Sequence, residues 1–182
     1  MKKNLTYSII AVLFFCIGTN VFAQEKSNFL TKLLDKGFLM TMDFRMGTNP
    51  SFKKTKTFRT SDWIFGVGYN FNKYLSARIP VGIKEEAMFE EDGVRDWKQS
   101  ETLGLCLGFK IDPRMELNVS AGSSISGDND WKYTYYNAGI NIQTNAKYCN
   151  GTLGFGFRFY DARKNIKNRN AVYLALGLRI SK

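Results

Sequence analysis

The amino-acid sequence predicts an all-β fold, an eight-stranded antiparallel up-and-down β-barrel. Three observations lead to this prediction. Apolar residues alternate with small or polar residues over eight segments of about ten residues each. Ten glycines share the polar side of that alternation, and short links between the segments alternate with long ones. Successive side chains of a strand point to opposite faces, so each segment has one apolar and one polar face.

The N-terminus has the pattern of a secretory signal. Lys2 and Lys3 precede an apolar run over 9–18, and a Val-Phe-Ala tripeptide ends at Ala23. The apolar run is too short for a membrane-spanning helix. We therefore predict that residues 1–23 are cleaved, which leaves 24 basic and 16 acidic residues and a net charge of +8.

Residues 24–36 follow the signal and predict a short helix. Phe29, Leu30, Leu33 and Leu34 recur at helical spacing. A helix with such an apolar face could lie at a membrane interface, here on the periplasmic side.

Residues 37–182 form the predicted barrel domain. In the segment 152–161, for example, Phe155 and Phe157 alternate with Gly154 and Gly156. The predicted strands are 37–47, 61–71, 74–84, 101–111, 115–125, 133–143, 152–161 and 170–180. Ten residues at ~3.3 Å each, tilted by ~45°, cover roughly 23 Å, close to the ~25 Å apolar band of membrane barrels. The apolar faces are therefore predicted to meet lipid.

The links and the glycines agree with a transmembrane barrel. Short links are predicted at 72–73, 112–114 and 144–146, and long ones at 48–60, 85–98, 126–132 and 161–169. Short turns at one end and longer loops at the other are typical of outer-membrane barrels. The glycines would face a lumen barely wide enough for side chains; they are Gly66, Gly68, Gly82, Gly104, Gly108, Gly122, Gly139, Gly154, Gly156 and Gly177.

Over residues 37–182, this patterning resembles the small eight-stranded outer-membrane barrels of the OmpX and OmpA-transmembrane-domain type. The resemblance implies a monomer in the outer membrane of a Gram-negative bacterium, surrounded by outer-membrane lipid and lipopolysaccharide. It also implies the outer-membrane assembly machinery as a partner during biogenesis. Those barrels usually end in an aromatic residue, whereas this chain ends at Lys182.

Seven charged residues share the glycine side of the alternation and are predicted to face the lumen. They are Asp43, Arg45, Arg78, Lys110, Glu116, Arg158 and Arg179. Charges in so narrow an interior must pair or hold water, so one interpretation is a lumen plugged by paired charges. Lys110 and Glu116 flank one turn and are expected to be neighbours. The basic excess supports another interpretation, a thin anion-favouring channel.

Two of the long links are basic and are expected to be neighbours, because the first and last strands of a closed barrel pair. Their basic residues are Lys53, Lys54, Lys56 and Arg59 in one link, and Arg163, Lys164, Lys167 and Arg169 in the other. Basic residues just above a bilayer attract anionic headgroups, so lipopolysaccharide is a candidate partner. A solvated loop surface is the alternative, and nucleic acid is a poor partner for an exported chain. The link 85–98 is acidic.

The sequence contains no histidine, which argues against an enzyme. General-base chemistry at neutral pH usually falls to histidine. The enzymes that the resemblance brings to mind, such as the palmitoyltransferase and the lipid A deacylase, also depend on one. Metal-ligand spacings are absent, so no cofactor is predicted. A remaining rival is a secreted lipocalin-like ligand-binding barrel, which would turn its apolar face inward.

Overall fold

A computed structural model of the chain describes residues 28–50, 56–91, 93–144, 146–163 and 167–182. The predicted signal segment 1–23 lies outside these ranges. The chain divides into a short unit that ends at Lys36 and a larger unit from Gly37 to Lys182.

The short unit contains helix α1 (Asn28–Asp35), which lies within the segment 24–36. The amide of Lys36 closes its last turn by donating hydrogen bonds to the carbonyls of Lys32 and Leu33, at 3.2 and 3.1 Å. Within the ranges that the structure describes, no helix is both long and apolar enough to cross a membrane.

The larger unit consists of eight antiparallel strands. They are β1 (Phe38–Thr48), β2 (Lys56–Asn70), β3 (Leu75–Glu91), β4 (Val94–Asp112), β5 (Met115–Gly127), β6 (Tyr133–Gln143), β7 (Cys149–Ala162) and β8 (Arg169–Ile180). Each strand pairs with its neighbours in sequence, and β1 also pairs with β8. The barrel is therefore closed, and the predicted eight-stranded up-and-down topology is confirmed.

The two faces of the strands differ as the alternation predicts. The outward face is apolar, and Leu105 and Leu176 expose 56% and 58% of their surface. The inward face carries charged and aromatic side chains that are almost completely buried, among them Glu116, Arg158 and Tyr133. A lipocalin has the opposite polarity, with its apolar face inside. The outward apolar face excludes that alternative.

Glycines leave room in the lumen for large side chains. A Cβ atom at Gly122 would lie 2.6 Å from the ring of Tyr135 and 2.5 Å from the carbonyl oxygen of Leu103. A Cβ atom at Gly156 would lie 2.6 Å from the hydroxyl oxygen of Tyr173. All three distances are too short for a real side chain. The glycines on the inward face thus leave room for two tyrosines that lie over neighbouring strands inside the lumen.

Three strands extend further toward the long links than predicted. β3 has 17 residues and β4 has 19, whereas a membrane crossing needs about 9–11. The links predicted at 48–60, 85–98, 126–132 and 161–169 are correspondingly too long, because β2 starts at Lys56 and β3 continues to Glu91. Residues 94–97 of β4 are exposed on both faces, so the alternation that marks strands in the sequence ends before this strand does.

A β-bulge in β3 changes which residues face the lumen. Trp63 is opposite Lys84 and Ile64 is opposite Gly82, so Ile83 has no opposite residue on β2. One extra residue turns every later side chain to the other face. In β3, the inward-facing residues are therefore even-numbered before the bulge and odd-numbered after it. This change brings Glu85 into the lumen.

Candidate functional site

The end of the lumen near the short links, called the turn end below, holds one acid between two arginines. Glu116 on β5 accepts a hydrogen bond from Arg78 on β3 at 3.3 Å and another from Arg179 on β8. The Ser76 hydroxyl adds a bond to Glu116 at 3.4 Å, and Arg179 also donates to Asn70 at 3.0 Å. The side chains of the three charged residues are 4% exposed or less. With Asn70 on β2, this network joins four strands across the lumen.

A second arginine–carboxylate pair lies in the middle of the lumen, on β1. Arg45 Nη2 is 3.6 Å from Asp43 Oδ2, and both side chains are 8% exposed. The Arg45 guanidinium also lies over the ring of Tyr173 at 5.1 Å. A cation over an aromatic face is stabilised by the ring quadrupole.

The half of the lumen near the long links, called the loop end below, holds one arginine between two acids. Arg158 donates to Asp62 at 3.1 Å and to both oxygens of Glu85, at 2.8 and 3.1 Å. Glu85 also accepts hydrogen bonds from the hydroxyls of Tyr133 and of Thr102, the latter at 2.8 Å. The charges of this network are the reverse of those at the turn end.

Aromatic side chains close the lumen above this network. The loop-end aromatic cluster consists of Phe58, Phe89, Trp131, Tyr133 and Tyr160. Its centre is Trp131, which is 1% exposed and lies 4.8 Å, between ring centroids, from both Phe89 and Tyr133. Trp131 lies in the link between β5 and β6, and its ring contacts with the other four members of the cluster bury it.

The buried charges of the lumen balance among the residues that the structure describes. They are Asp43, Asp62, Glu85 and Glu116 against Arg45, Arg78, Arg158 and Arg179. The seven residues predicted from the sequence contain more bases than acids because they omit the buried acids Asp62 and Glu85 and include Lys110, which is partly exposed. The basic excess that supports an anion-favouring channel does not hold for the buried side chains.

The alternation in the sequence indicates a lumen position for one of these two acids. Asp62 lies on the glycine side of the segment 61–71, two residues before Ile64 on the same face. The alternation does not indicate a lumen position for Glu85, because the bulge at Ile83 reverses it just before this residue.

Comparisons with known proteins show which folds this barrel is similar to. No protein-family model and no curated protein matches the sequence. Among solved structures, the chain is similar to the Yersinia pestis outer membrane protein Ail in a phospholipid bilayer nanodisc, with 13% identity and a TM-score of 0.50 over 80% of this chain and 99% of Ail. Together with the closed eight-stranded barrel and its apolar exterior, that match decides the fold. The chain folds as a small outer-membrane β-barrel.

Two further structures are similar to this barrel. One comes from the de novo design of transmembrane β-barrels, with 16% identity and a TM-score of 0.43 over 79% of this chain and 94% of the design. The other is the translocator domain of the autotransporter NalP from Neisseria meningitidis, with 8% identity and a TM-score of 0.42 over 96% of this chain and 98% of that domain.

Lys110 differs from the other predicted lumen residues of the barrel. It lies directly opposite Glu116 in the pairing of β4 with β5, as expected from their shared turn. It is partly exposed and lines an open cavity of about 640 Å³ at the turn end, together with Asn70, Asn150 and Ser181. Lys110 therefore belongs to the mouth of the lumen rather than to its buried networks.

The predicted lipopolysaccharide-contacting residues of the barrel occupy different surroundings. Lys53, Lys54, Lys164 and the side chain of Lys56 lie outside the described residues. Arg59 and Lys167 are exposed. Arg169 pairs with Glu91 at 3.0 Å and lies over the ring of Phe89. Arg163 donates to the hydroxyls of Ser123 and Thr134 on the outer wall.

The acidic residues predicted in a loop over 85–98 instead belong to the hairpin of β3 and β4. Glu90 pairs with Arg95 at 3.4 Å across this hairpin. Lys98 lies between Asp130 and Asp96, at 2.5 and 2.9 Å. Hydrogen bonds that Lys98 donates to these two carboxylates raise the pKa of its ammonium group, which stays charged at neutral pH.

Proposed function

We propose that this barrel has a structural and surface-interaction role in the outer membrane of a Gram-negative bacterium, and that its lumen does not conduct. The observation that carries the proposal is the balance of the eight buried lumen charges, which pair in three networks. Conduction would require a continuous path of water or ions. Here the networks occupy the interior and the loop-end aromatic cluster covers one end.

The proposal includes how the protein reaches the outer membrane and that it is a monomer there. Residues 1–23 would direct export and be removed, residues 24–36 would remain on the periplasmic side, and the assembly machinery would insert the barrel as a monomer. Enzymatic activity is not part of the proposal, since the chain has no histidine for general-base chemistry.

A closed lumen predicts almost no conductance for the purified barrel in planar bilayers. The reason is that each buried guanidinium already has a carboxylate partner, and moving an ion past the networks would separate these pairs. Single-channel recording at high salt measures this directly. Steady openings with anion selectivity from the wild-type protein would contradict the proposal and restore the channel interpretation.

The orientation of the barrel predicts which links are accessible on intact cells. Outer-membrane barrels keep their short turns in the periplasm, so a cysteine introduced at Gly93 in the β3–β4 hairpin should react with an impermeant maleimide. A cysteine at Lys73 in the short β2–β3 link should react only after lysis. Both labelling variants also lack Cys106 and Cys149, so that the maleimide cannot react with a native thiol. Labelling of Lys73→Cys alone on intact cells would reverse the proposed orientation.

We further propose that the basic links contact lipopolysaccharide. The exposed side chains of Arg59, at the loop end of β2, and of Lys167, in the link before β8, support this, and β1 pairs with both β2 and β8. Each basic residue near an anionic surface contributes up to about 1 kcal/mol, and salt weakens that attraction.

Neutralising the basic links should reduce the lipopolysaccharide that co-purifies with the barrel. The test variant replaces Lys53, Lys54, Lys56, Arg59 and Lys167 by glutamine. Its control replaces Glu86, Glu90 and Asp96 by glutamine, which changes a surface of opposite charge on the β3–β4 hairpin. Retained lipopolysaccharide, measured at low salt, should fall only in the first variant. Equal retention by both variants would identify the basic links as a solvated surface.

A further inference from the structure

The outer wall of the barrel has a groove across strands β4 to β7. The outer groove has a volume of about 500 Å³, and apart from Ser120 and Asn137 its lining residues are apolar: Leu105, Leu107, Val119, Ala121, Tyr136, Ala138, Phe157 and Phe159. Its volume lies within the range of about 300–1,000 Å³ typical of small-molecule sites.

Two alanines produce the groove. Ala138 lies between Val119 and Phe157 in the strand pairing, and Ala121 lies opposite Tyr136. Both alanines face outward and are exposed. A short side chain between long ones leaves a depression in the wall, and its apolar lining fits a hydrocarbon chain rather than a polar ligand.

Polar residues begin directly above the outer groove, toward the loop end. The next outward-facing residues are Ser123 on β5, Thr134 on β6 and Asp161 on β7. This change from apolar to polar marks the level at which the hydrocarbon of the bilayer gives way to headgroups. The outer groove therefore ends at headgroup level.

Arg163 is fixed at this boundary. Its Nη2 donates to the hydroxyl of Ser123 at 2.5 Å and to that of Thr134 at 3.2 Å, and its amide donates to the carbonyl of Lys132 at 2.6 Å. The side chain nevertheless remains exposed. A guanidinium has five N–H donors in a planar fork that suits phosphate, so a held and exposed arginine is a good phosphate ligand.

We propose that the outer groove binds lipid A, with one acyl chain along Ala121 and Ala138 and a phosphate at Arg163. The choice of lipid A rests on the proposed function, because the loop end then lies in the leaflet that carries lipopolysaccharide. Asp161 is the acid nearest in sequence to this site and would repel the phosphate. Arg163 belongs to one of the basic links, but the site differs from the proposed loop contacts because it combines an apolar groove with a single positioned cation.

The test uses the folded, delipidated barrel in detergent micelles, to which lipid A or phosphatidylglycerol is added, with the bound lipid counted by native mass spectrometry. Arg163→Ala removes the phosphate ligand, and Ala138→Phe fills the groove. Ala77→Phe, on the outward face of β3, is the matched control for added bulk. We expect several-fold less bound lipid A in the first two variants, an unchanged amount in Ala77→Phe and more in Asp161→Asn.

Lipid A from which the phosphates have been removed distinguishes the contribution of Arg163 from that of the outer groove. Its binding should no longer depend on Arg163 but should still fall in Ala138→Phe. Wild-type binding of lipid A by both Arg163→Ala and Ala138→Phe would overturn the inference. An equal loss of phosphatidylglycerol in these variants would also overturn it, because it would make the outer groove a general phospholipid site.

The result is independent of the test on the basic links, in which Arg163 is unchanged. Loss of lipid A in Arg163→Ala with full retention in the five-site glutamine variant would refute the loop contacts and keep the outer groove. The opposite pattern would refute the outer groove and keep the loop contacts. A difference in gel mobility between the unheated and the heated barrel verifies that each variant is folded.

Discussion

Replacing Glu116 by alanine should lower the free energy of unfolding of the barrel by about 3–5 kcal/mol, the usual effect of breaking a buried ion pair. Glu116 is 1% exposed and is the acid that both Arg78 and Arg179 contact. Its removal leaves two guanidiniums in the lumen without that partner. A guanidinium does not lose its proton in proteins, so neither arginine escapes the cost by becoming neutral.

Urea-induced unfolding of the barrel in lipid vesicles, followed by tryptophan fluorescence, measures this effect. Glu86→Ala is the matched control, because Glu86 pairs with Lys84 at 3.0 Å but both side chains are substantially exposed. Exposed ion pairs contribute little to stability. A second variant replaces Glu116, Arg78 and Arg179 together by leucine or methionine and should recover most of the loss. Equal stability of Glu116→Ala and wild type would show that the lumen is hydrated enough to solvate the arginines.

The faces of the strands were predictable from the sequence because the membrane imposes them. A strand that separates lipid from a narrow lumen needs large apolar residues on one side and small ones on the other, as Phe155 and Gly154 show. This requirement applies to every residue within the bilayer, so the alternation fixes strand number, topology and orientation of the side chains together.

The ends of the strands were not predictable in the same way. At the loop end, residues 94–97 of β4 are exposed on both faces and the outward face of β3 carries Glu86, so the apolar alternation no longer marks either strand. The bulge at Ile83 also changes which residues of β3 face inward, and the amino-acid composition does not reveal this change. Glu85 is therefore assigned to a loop by the sequence pattern, although it is buried in the lumen.

The partners of the lumen charges also depend on distances that the sequence does not contain. Lys110 and Glu116 are neighbours across one turn, as predicted, yet the ion pairs of Glu116 are with Arg78 and Arg179 from other strands. Arg158 reaches Asp62, which is 96 residues away in sequence. Local reasoning identifies neighbours within a hairpin, whereas pairs across the lumen depend on how the closed barrel staggers its strands.

Replacing Arg158 by alanine should destabilise the barrel by a similar amount, about 3–5 kcal/mol, but with a different dependence on pH. Arg158 pairs with Asp62 and Glu85 and lies over the ring of Tyr135 at 4.0 Å. Without it, two buried carboxylates face each other with no cation between them. Glu85 keeps the hydrogen bonds from Tyr133 and Thr102, which do not replace the lost charge.

The sign of the uncompensated charge distinguishes the two lumen variants. Carboxylates take up protons on mild acidification, whereas guanidiniums remain charged. Lowering the pH should therefore restore part of the lost stability in Arg158→Ala, because protonation removes the buried negative charges. It should restore none in Glu116→Ala, in which the uncompensated charges are positive.

Arg158→Lys tests whether charge alone is sufficient at this position. A lysine ammonium supplies one positive charge but lacks the planar fork that contacts Asp62 and Glu85 together, so its stability should lie between those of wild type and Arg158→Ala. Urea unfolding at a series of pH values measures all three proteins under the same conditions. A loss in Arg158→Ala that does not change with pH would mean that the cost comes from the missing packing against Tyr135 and Tyr160 rather than from the two acids.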